Sequence, residues 1–157
     1  MIERSITGFH RDEEGHWVAE LACGHGRHVR HAPPFLERAW VTTPEGRASR
    51  LGQNLECVRC ERLEIPDGWN VERRTPIFDE SSLPAALRRR HRIATGVWGR
   101  IIVLEGALRY RIHQPLEREE TIAPERPGIV PPGIEHDVEP LGPLRFLIEF
   151  WRRGPPA

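Results

Sequence analysis

Cys57-Val58-Arg59-Cys60 restricts this chain more than any other stretch, because two thiols at that spacing can be aimed by one tight turn at a single metal ion. Two donors do not close a zinc site, and only one further cysteine exists, Cys23. It opens the run Cys23-Gly24-His25-Gly26-Arg27-His28, which is dense in histidine and glycine. Cys23 is therefore the expected third thiolate, and His25 or His28 the fourth donor. His25 would form a Cys-x-His knuckle folded around Gly24, where glycine permits positive backbone torsions. His28 would instead face Cys23 across a short hairpin loop. The knuckle is the favoured geometry, with exchange between the two histidines left open. Four protein ligands make a closed and hence structural centre. A redox role for the Cys-x-x-Cys pair competes with this reading. Thioredoxin-like chemistry wants the pair at the start of a helix after a strand, and here the sequence places it after a helix.

The flanking pattern fits a small α+β module. Residues 16–23, HWVAELAC, alternate Trp17, Ala19 and Leu21 against polar or small residues, which is the period of a half-buried strand. Asp12 to Gly15 supply a turn before it, and RHVRH reads as the returning strand, stopped by Pro33 and Pro34. Over residues 42–53, Thr43 is a suitable N-cap, Pro44 fits the first helical position and Gly52 a stop, so one short helix is expected. His10, His16 and His31 read as ordinary surface or packing residues.

Charge excludes several function classes. The chain carries 23 basic and 23 acidic side chains, and residues 1–62 alone hold nine of each, so no field draws it to nucleic acid or membrane. Every basic residue is arginine, which removes lysine Schiff-base chemistry and the phosphate-gripping lysine of a P-loop. No apolar run reaches the roughly 20 residues of a membrane span, and the start lacks the apolar core of a signal peptide. The expected location is the cytoplasm, where disulfides are disfavoured and cysteines bind metal or lie inert. All three cysteines and five of eight histidines precede residue 62, which divides the chain into residues 1–62 and 63–157, with 63–76 as a short junction. A first half this small gains from a metal cross-link.

The second half reads as β throughout. Residues 99–112, GRIIVLEGALRYRI, suggest two strands around a Glu105-Gly106 hairpin, and residues 127–151 suggest short strands divided by proline and glycine turns. In the last of them Leu144, Phe146, Ile148 and Phe150 share one face, and Arg145, Leu147, Glu149 and Trp151 the other. Such spacing argues for a barrel or sandwich, and the length suits a cupin-type jelly roll. Pro131-Pro132-Gly133-Ile134-Glu135-His136 fits the second cupin motif, in which a proline-glycine turn delivers a histidine to a central metal. His91 stands near the first motif, whose second histidine and glutamate are out of register. The expected pocket donors are His91, His136 and Glu149, with Glu135 or Asp137 as other carboxylates. Imidazole plus carboxylate with open positions suits zinc, iron, manganese or nickel.

Two resemblances extend this reading. The pattern GFHRDEEGHWVAELACGHGRHVRHAPPF, followed by WVTTPEGRASRLGQ and CVRC, resembles a small bacterial domain of uncharacterised function. It brings no activity, but implies that Cys23, His25, His28, Cys57 and Cys60 belong together. The stretch from Arg73 to Ile112, with His91 followed by Thr95-Gly96-Val97-Trp98-Gly99-Arg100, and then PPGIEHDVEPLG and FLIEFW, looks like the TehB/YeaR-like cupin family. That resemblance implies bacterial stress or tellurite resistance. In longer relatives the detoxifying chemistry belongs to an S-adenosylmethionine-dependent methyltransferase domain, and this chain has no glycine-rich strand-to-helix loop for that cofactor. In the family an acidic residue often stands two positions before the histidine; here it is Arg89.

The expected architecture is thus mainly β, a zinc-ribbon-like α+β module followed by a cupin-type jelly-roll barrel. Its expected role is a metal-binding stress protein with a structural Zn2+, a pocket for a small molecule or oxyanion, and a second divalent metal in the pocket. A cupin metalloenzyme, dioxygenase or isomerase, is the alternative, and catalysis stays open. A zinc-ribbon adaptor ranks last: Arg27, Arg30, Arg47, Arg50, Arg59 and Arg62 could line a face, but nine acidic residues share that half. Membrane is not an expected partner, and a homodimer through sheet edges is.

Overall fold

In the computed structural model, which describes residues 1–154, two antiparallel sheets follow one another along the chain. The first is built from β1 (Glu3–Arg11), β2 (Trp17–Leu21), β3 (Gly26–His28) and β4 (Asn54–Glu56), in the order β3-β2-β1-β4. The turn between β1 and β2 forms where the sequence predicts it. Asp12 Oδ1 accepts from the backbone N–H groups of Glu14 and His16, at 2.9 and 2.8 Å. The predicted helix is α1 (Pro44–Ser49), and Thr43 caps it by accepting from Gly46 N at 3.0 Å. Arg47 from this helix stacks on the Trp17 ring at 3.8 Å, which shields an aromatic that β2 leaves half-buried.

The second sheet runs β5 (Trp69–Arg74), β10 (His136–Arg153), β7 (Trp98–Ile112) and β8 (Arg118–Ile122). The short strands β6 (Phe78–Asp79) and β9 (Gly128–Val130) join β10 and β7 respectively. The expected Glu105-Gly106 hairpin does not form: residues 98–112 are one strand of 15 residues. Nor is the C-terminal stretch a series of short strands, because residues 136–153 are one strand of 18 that passes through Pro140 and Pro143. The glycine does have the positive φ, +80°, that the hairpin reading required, but it uses it within the strand, opposite the bulge that β10 makes between Pro140 and Leu144. A Cβ at Gly106 would strike the Pro143 carbonyl, and the register of β10 shifts between Pro140 and Leu144 at the same level. Both long strands therefore bend together and the sheet curls.

A second irregularity, one register shift earlier in β7, exchanges faces. Before Gly106 the odd residues Ile101 and Val103 are buried; after it the even residues Leu108, Tyr110 and Ile112 are, all at 2% exposure or less. The extra residue of β7 is Leu104, between Val103 and Glu105, which pair with the adjacent Phe146 and Arg145, and in a strand of period two it must do this. The interior so defined continues without a break into the first sheet, since Ile2, Ile6 and Leu21 share one hydrophobic cluster with Trp98 and Phe146. Part of the predicted junction is itself structural: Leu63 takes a positive φ of 56°, and Trp69 begins β5.

Candidate metal centre

The turn between β2 and β3 places two donors. Gly24 N donates to Leu21 O at 2.9 Å and Leu21 N to His25 O at 2.9 Å, so Cys23 and His25 project from opposite sides of a glycine whose φ is +95°. The other two donors come from α2 (Val58–Glu61), with Cys57 at its N-cap and Cys60 in its turn. Cys57 N donates to Ile2 O at 2.8 Å, which ties this helix to β1. The four donor atoms lie within 4.8 Å of one another, and all four residues are buried.

The spacing within this group can be tested against a metal. A tetrahedral ion with bonds of about 2.3 Å to sulfur and about 2.05 Å to nitrogen sets its donors about 3.8 Å apart for two sulfurs and about 3.6 Å for sulfur and nitrogen. Cys23 Sγ is 3.8 Å from Cys57 Sγ. His25 Nδ1 is 3.4, 3.3 and 3.6 Å from the sulfurs of Cys23, Cys57 and Cys60. The donors thus fit such an ion. The imidazole is oriented for it too: Nε2 donates to Glu64 O at 2.7 Å, which leaves Nδ1 facing the sulfurs, the nitrogen that would give up its proton to bind an ion. Burial opposes a charge on His25, but the Cys23 and Cys57 sulfurs outweigh it and raise its pKa to about 9. Hydrogen bonding with Cys23 and Cys60 lowers Cys57, whereas Cys23 and Cys57 together with burial raise Cys60. A group that can ionise only some of its thiols alone is the kind that a divalent cation deprotonates as a set.

Of the two open choices for the fourth donor, the fold brings His25 to the sulfurs and holds His28 away. His28 pairs with Val18 in the β2–β3 ladder, is exposed, and its Nε2 sits 2.9 Å from Asp12 Oδ2. The positional argument against a redox pair does not survive: β4 separates Cys57 from α1, so Cys57-Cys60 does begin a helix after a strand. What distinguishes the site from a redox pair is the company of Cys23 and His25, which sequence spacing did indicate.

The second predicted donor set is not assembled. His91 and His136 do meet, through two backbone hydrogen bonds of 2.8 and 2.7 Å and with ring centroids 5.4 Å apart. Glu149 lies elsewhere, its carboxylate accepting from Arg74 Nε at 2.8 Å. The reason is strand alternation: Ile148 and Phe150 face the cavity that His91 and His136 line, so Glu149 between them faces away. Glu135 pairs with Arg92 at 2.6 Å, and Asp137 with His113 at 2.5 Å. Among the described residues, Cys23, His25, Cys57 and Cys60 form the one group of three or more metal-type donors. His136 Nδ1 donates to Ile134 O at 3.3 Å. Sequence reading passed over His113, and also Trp98 as a contact of the metal group. Trp98 is fully buried, donates from Nε1 to Cys23 O at 2.8 Å, and meets the His25 ring edge-on at 5.4 Å.

Comparison with known proteins divides the chain at the same place as the sheets. Residues 7–64 match the family described as "Protein of unknown function (DUF3565)", and residues 73–148 match the "TehB-like domain". Among solved structures, the chain is similar to TehB from Haemophilus influenzae, with 24% identity and a TM-score of 0.51 over 55% of this chain and 32% of that one. It thus spans about a third of that TehB. A structure of a protein from E. coli (strain K12) is similar with 24% identity and a TM-score of 0.52, over 59% of this chain and 98% of that one. At these identities the likeness concerns fold. No curated protein matches.

Proposed function

We propose that this chain, which joins a DUF3565 domain to a TehB-like domain, is a metal-binding protein of the bacterial response to toxic oxyanions. Its metal is one structural Zn2+ on Cys23, His25, Cys57 and Cys60, in a zinc-ribbon-like module of residues 1–62. The half that starts at residue 63 is a cupin-type jelly roll that receives a small ligand, and the protein works in the cytoplasm. The observation that carries the zinc assignment is four donor separations of 3.3 to 3.8 Å, one between the Cys23 and Cys57 sulfurs and three from His25 Nδ1 to the sulfurs, which are those expected around a tetrahedral ion with four protein ligands. When bound, the ion holds three thiolates and an imidazole in fixed array and supplies cross-linking rather than reactivity. The residues around it transmit that constraint. Trp98 binds the Cys23 carbonyl, and Gly24 lies against Trp69 and Pro66, so the centre clamps the first sheet onto the second. The link to oxyanion stress is carried by the TehB-like match alone.

Elemental analysis of the natively purified chain tests the centre: one zinc per chain is expected, lost in Cys60→Ser and kept in His28→Ala. A metal-free protein, or zinc retained without Cys60, overturns it. Loss of tellurite tolerance on deletion of the gene, restored by the intact gene, tests the stress role. The metalloenzyme alternative keeps one favourable observation, the juxtaposed His91 and His136 rings.

A further inference from the structure

The cavity beside His136 is the inner end of a cleft with two chemically distinct compartments. The inner one is about 20 Å³, walled by Ile101, Val130, Ile148 and Phe150 with the two histidines. A single water needs about 10–15 Å³ on this measure, so the space suits a methyl or ethyl group and no ring. The outer one is an open cleft of about 270 Å³ that shares His91, Ile93 and Phe150 with the inner and adds three arginines, Arg73, Arg92 and Arg152, against one carboxylate, Glu72. Arg92 and Arg152 are engaged by Glu135 and Glu72. Arg73 has no carboxylate within ion-pair distance among the described residues. Its guanidinium lies 4.4 Å over the Phe150 ring, at the boundary between the compartments.

We infer that this cleft binds a short-chain aliphatic carboxylate, with the carboxylate on Arg73 at the mouth and the alkyl end in the chamber beside His136. The inference deepens the reading of the TehB-like half as the ligand-receiving half. The two compartments select for the two ends separately. A bare inorganic oxyanion has no use for an apolar chamber, since entering it would strip hydration without replacing the hydrogen bonds. An uncharged alkane has no use for the arginine. His136 adds no competing charge inside, because burial holds it neutral at physiological pH. Arg73 is planar and presents paired N–H groups, which suits the two oxygens of a carboxylate.

The test uses the full chain with its native metal content and propionate as the probe, read by saturation transfer from protein to ligand in NMR. Saturation of the propionate methyl and a millimolar affinity are expected, as befits so few ligand atoms. Arg73→Ala, an exposed change that leaves the fold intact, should weaken binding about tenfold, the usual effect of losing a charge-assisted contact. Ile148→Trp should fill the chamber and abolish methyl saturation. No saturation of propionate, binding unchanged in Arg73→Ala, or displacement of propionate by equimolar sulfate or tellurite would each overturn the inference. Zinc on the cysteine centre with no propionate binding would sink this inference alone and leave the metal assignment standing.

Discussion

His136 gives the most quantitative test of how the second sheet treats a charge. The residue is 4% exposed, and burial is the main reason that its pKa falls from 6.5 to about 4, with the neighbouring His91 ring adding repulsion against the help of Ile134 O and Asp137. The folded chain then takes up this proton later than the unfolded chain as pH falls. Its contribution to stability is therefore whole above about pH 6.5 and is lost as pH drops from there toward 4. At about 1.4 kcal/mol per pH unit of separation the full loss is about 3 kcal/mol, of which about 2 falls between pH 7 and 5. The assay is urea unfolding of the wild type and His136→Leu across that interval. Taking the difference removes acid effects common to both, loss of metal from the cysteine centre included. The wild type should lose about 2 kcal/mol relative to the variant on going from pH 7 to 5. A difference that stays constant with pH would refute the claim that the fold keeps this imidazole neutral.

Three further outcomes follow from contacts already described. Gly24→Ala should lower stability by about 2–4 kcal/mol, a Tm drop of about 5–15 °C in calorimetry, because the added Cβ meets Trp69 at a backbone φ of +95°. Trp98→Phe removes the donor to Cys23 O and should cost about 1–3 kcal/mol by urea unfolding while zinc content stays at the wild-type value. Glu149→Gln should change neither metal content nor propionate binding and cost about 1 kcal/mol or less by the same unfolding assay, since its partner Arg74 is largely in solvent. Loss of either binding function in Glu149→Gln would restore that carboxylate to the cavity.

How far the sequence could be read depended on the range of the interaction that decides each feature. The α1 caps, the Asp12 turn and the Cys57/Cys60 pair were legible because neighbours within a few residues determine them. The fourth donor was legible only as a preference for His25 over His28, since Gly24 and Gly26 allow both geometries locally. What selects His25 is the Glu64 carbonyl, 39 residues away, and the ladder that commits His28 to Val18. Gly106 illustrates the same limit. A positive φ serves a hairpin or a strand opposite a bulge equally well, and only the long partner strand β10, bulged at the same level, decides for the strand. Glu149 went astray by a different route. Its face of the strand was assigned correctly, but the polar face was taken to line the cavity, whereas the cavity takes the apolar one.

The position of the metal centre gives it consequences beyond the first sheet. Three of its contacts, the Trp98 indole on Cys23 O, Trp69 against Gly24 and the edge-on meeting of His25 with Trp98, belong to strands of the second sheet. Trp98 begins β7 and Trp69 begins β5, and β10 lies between those strands. An ion that fixes the Cys23-His25 turn therefore holds the start of β5 and the start of β7, where Gly99 and Ile101, one and three residues after Trp98, wall the His136 cavity. Binding to the folded state alone stabilises whatever unfolds with it. Because the hydrophobic cluster is continuous across both sheets, chelation should lower the unfolding midpoint of the TehB-like half together with that of the cysteine-bearing one. Hydrogen exchange with and without a zinc chelator separates the cases: loss of protection in β7 and β10 along with β2 is the coupled outcome, and loss confined to β1–β4 and α2 would show that the clamp stops at the first sheet.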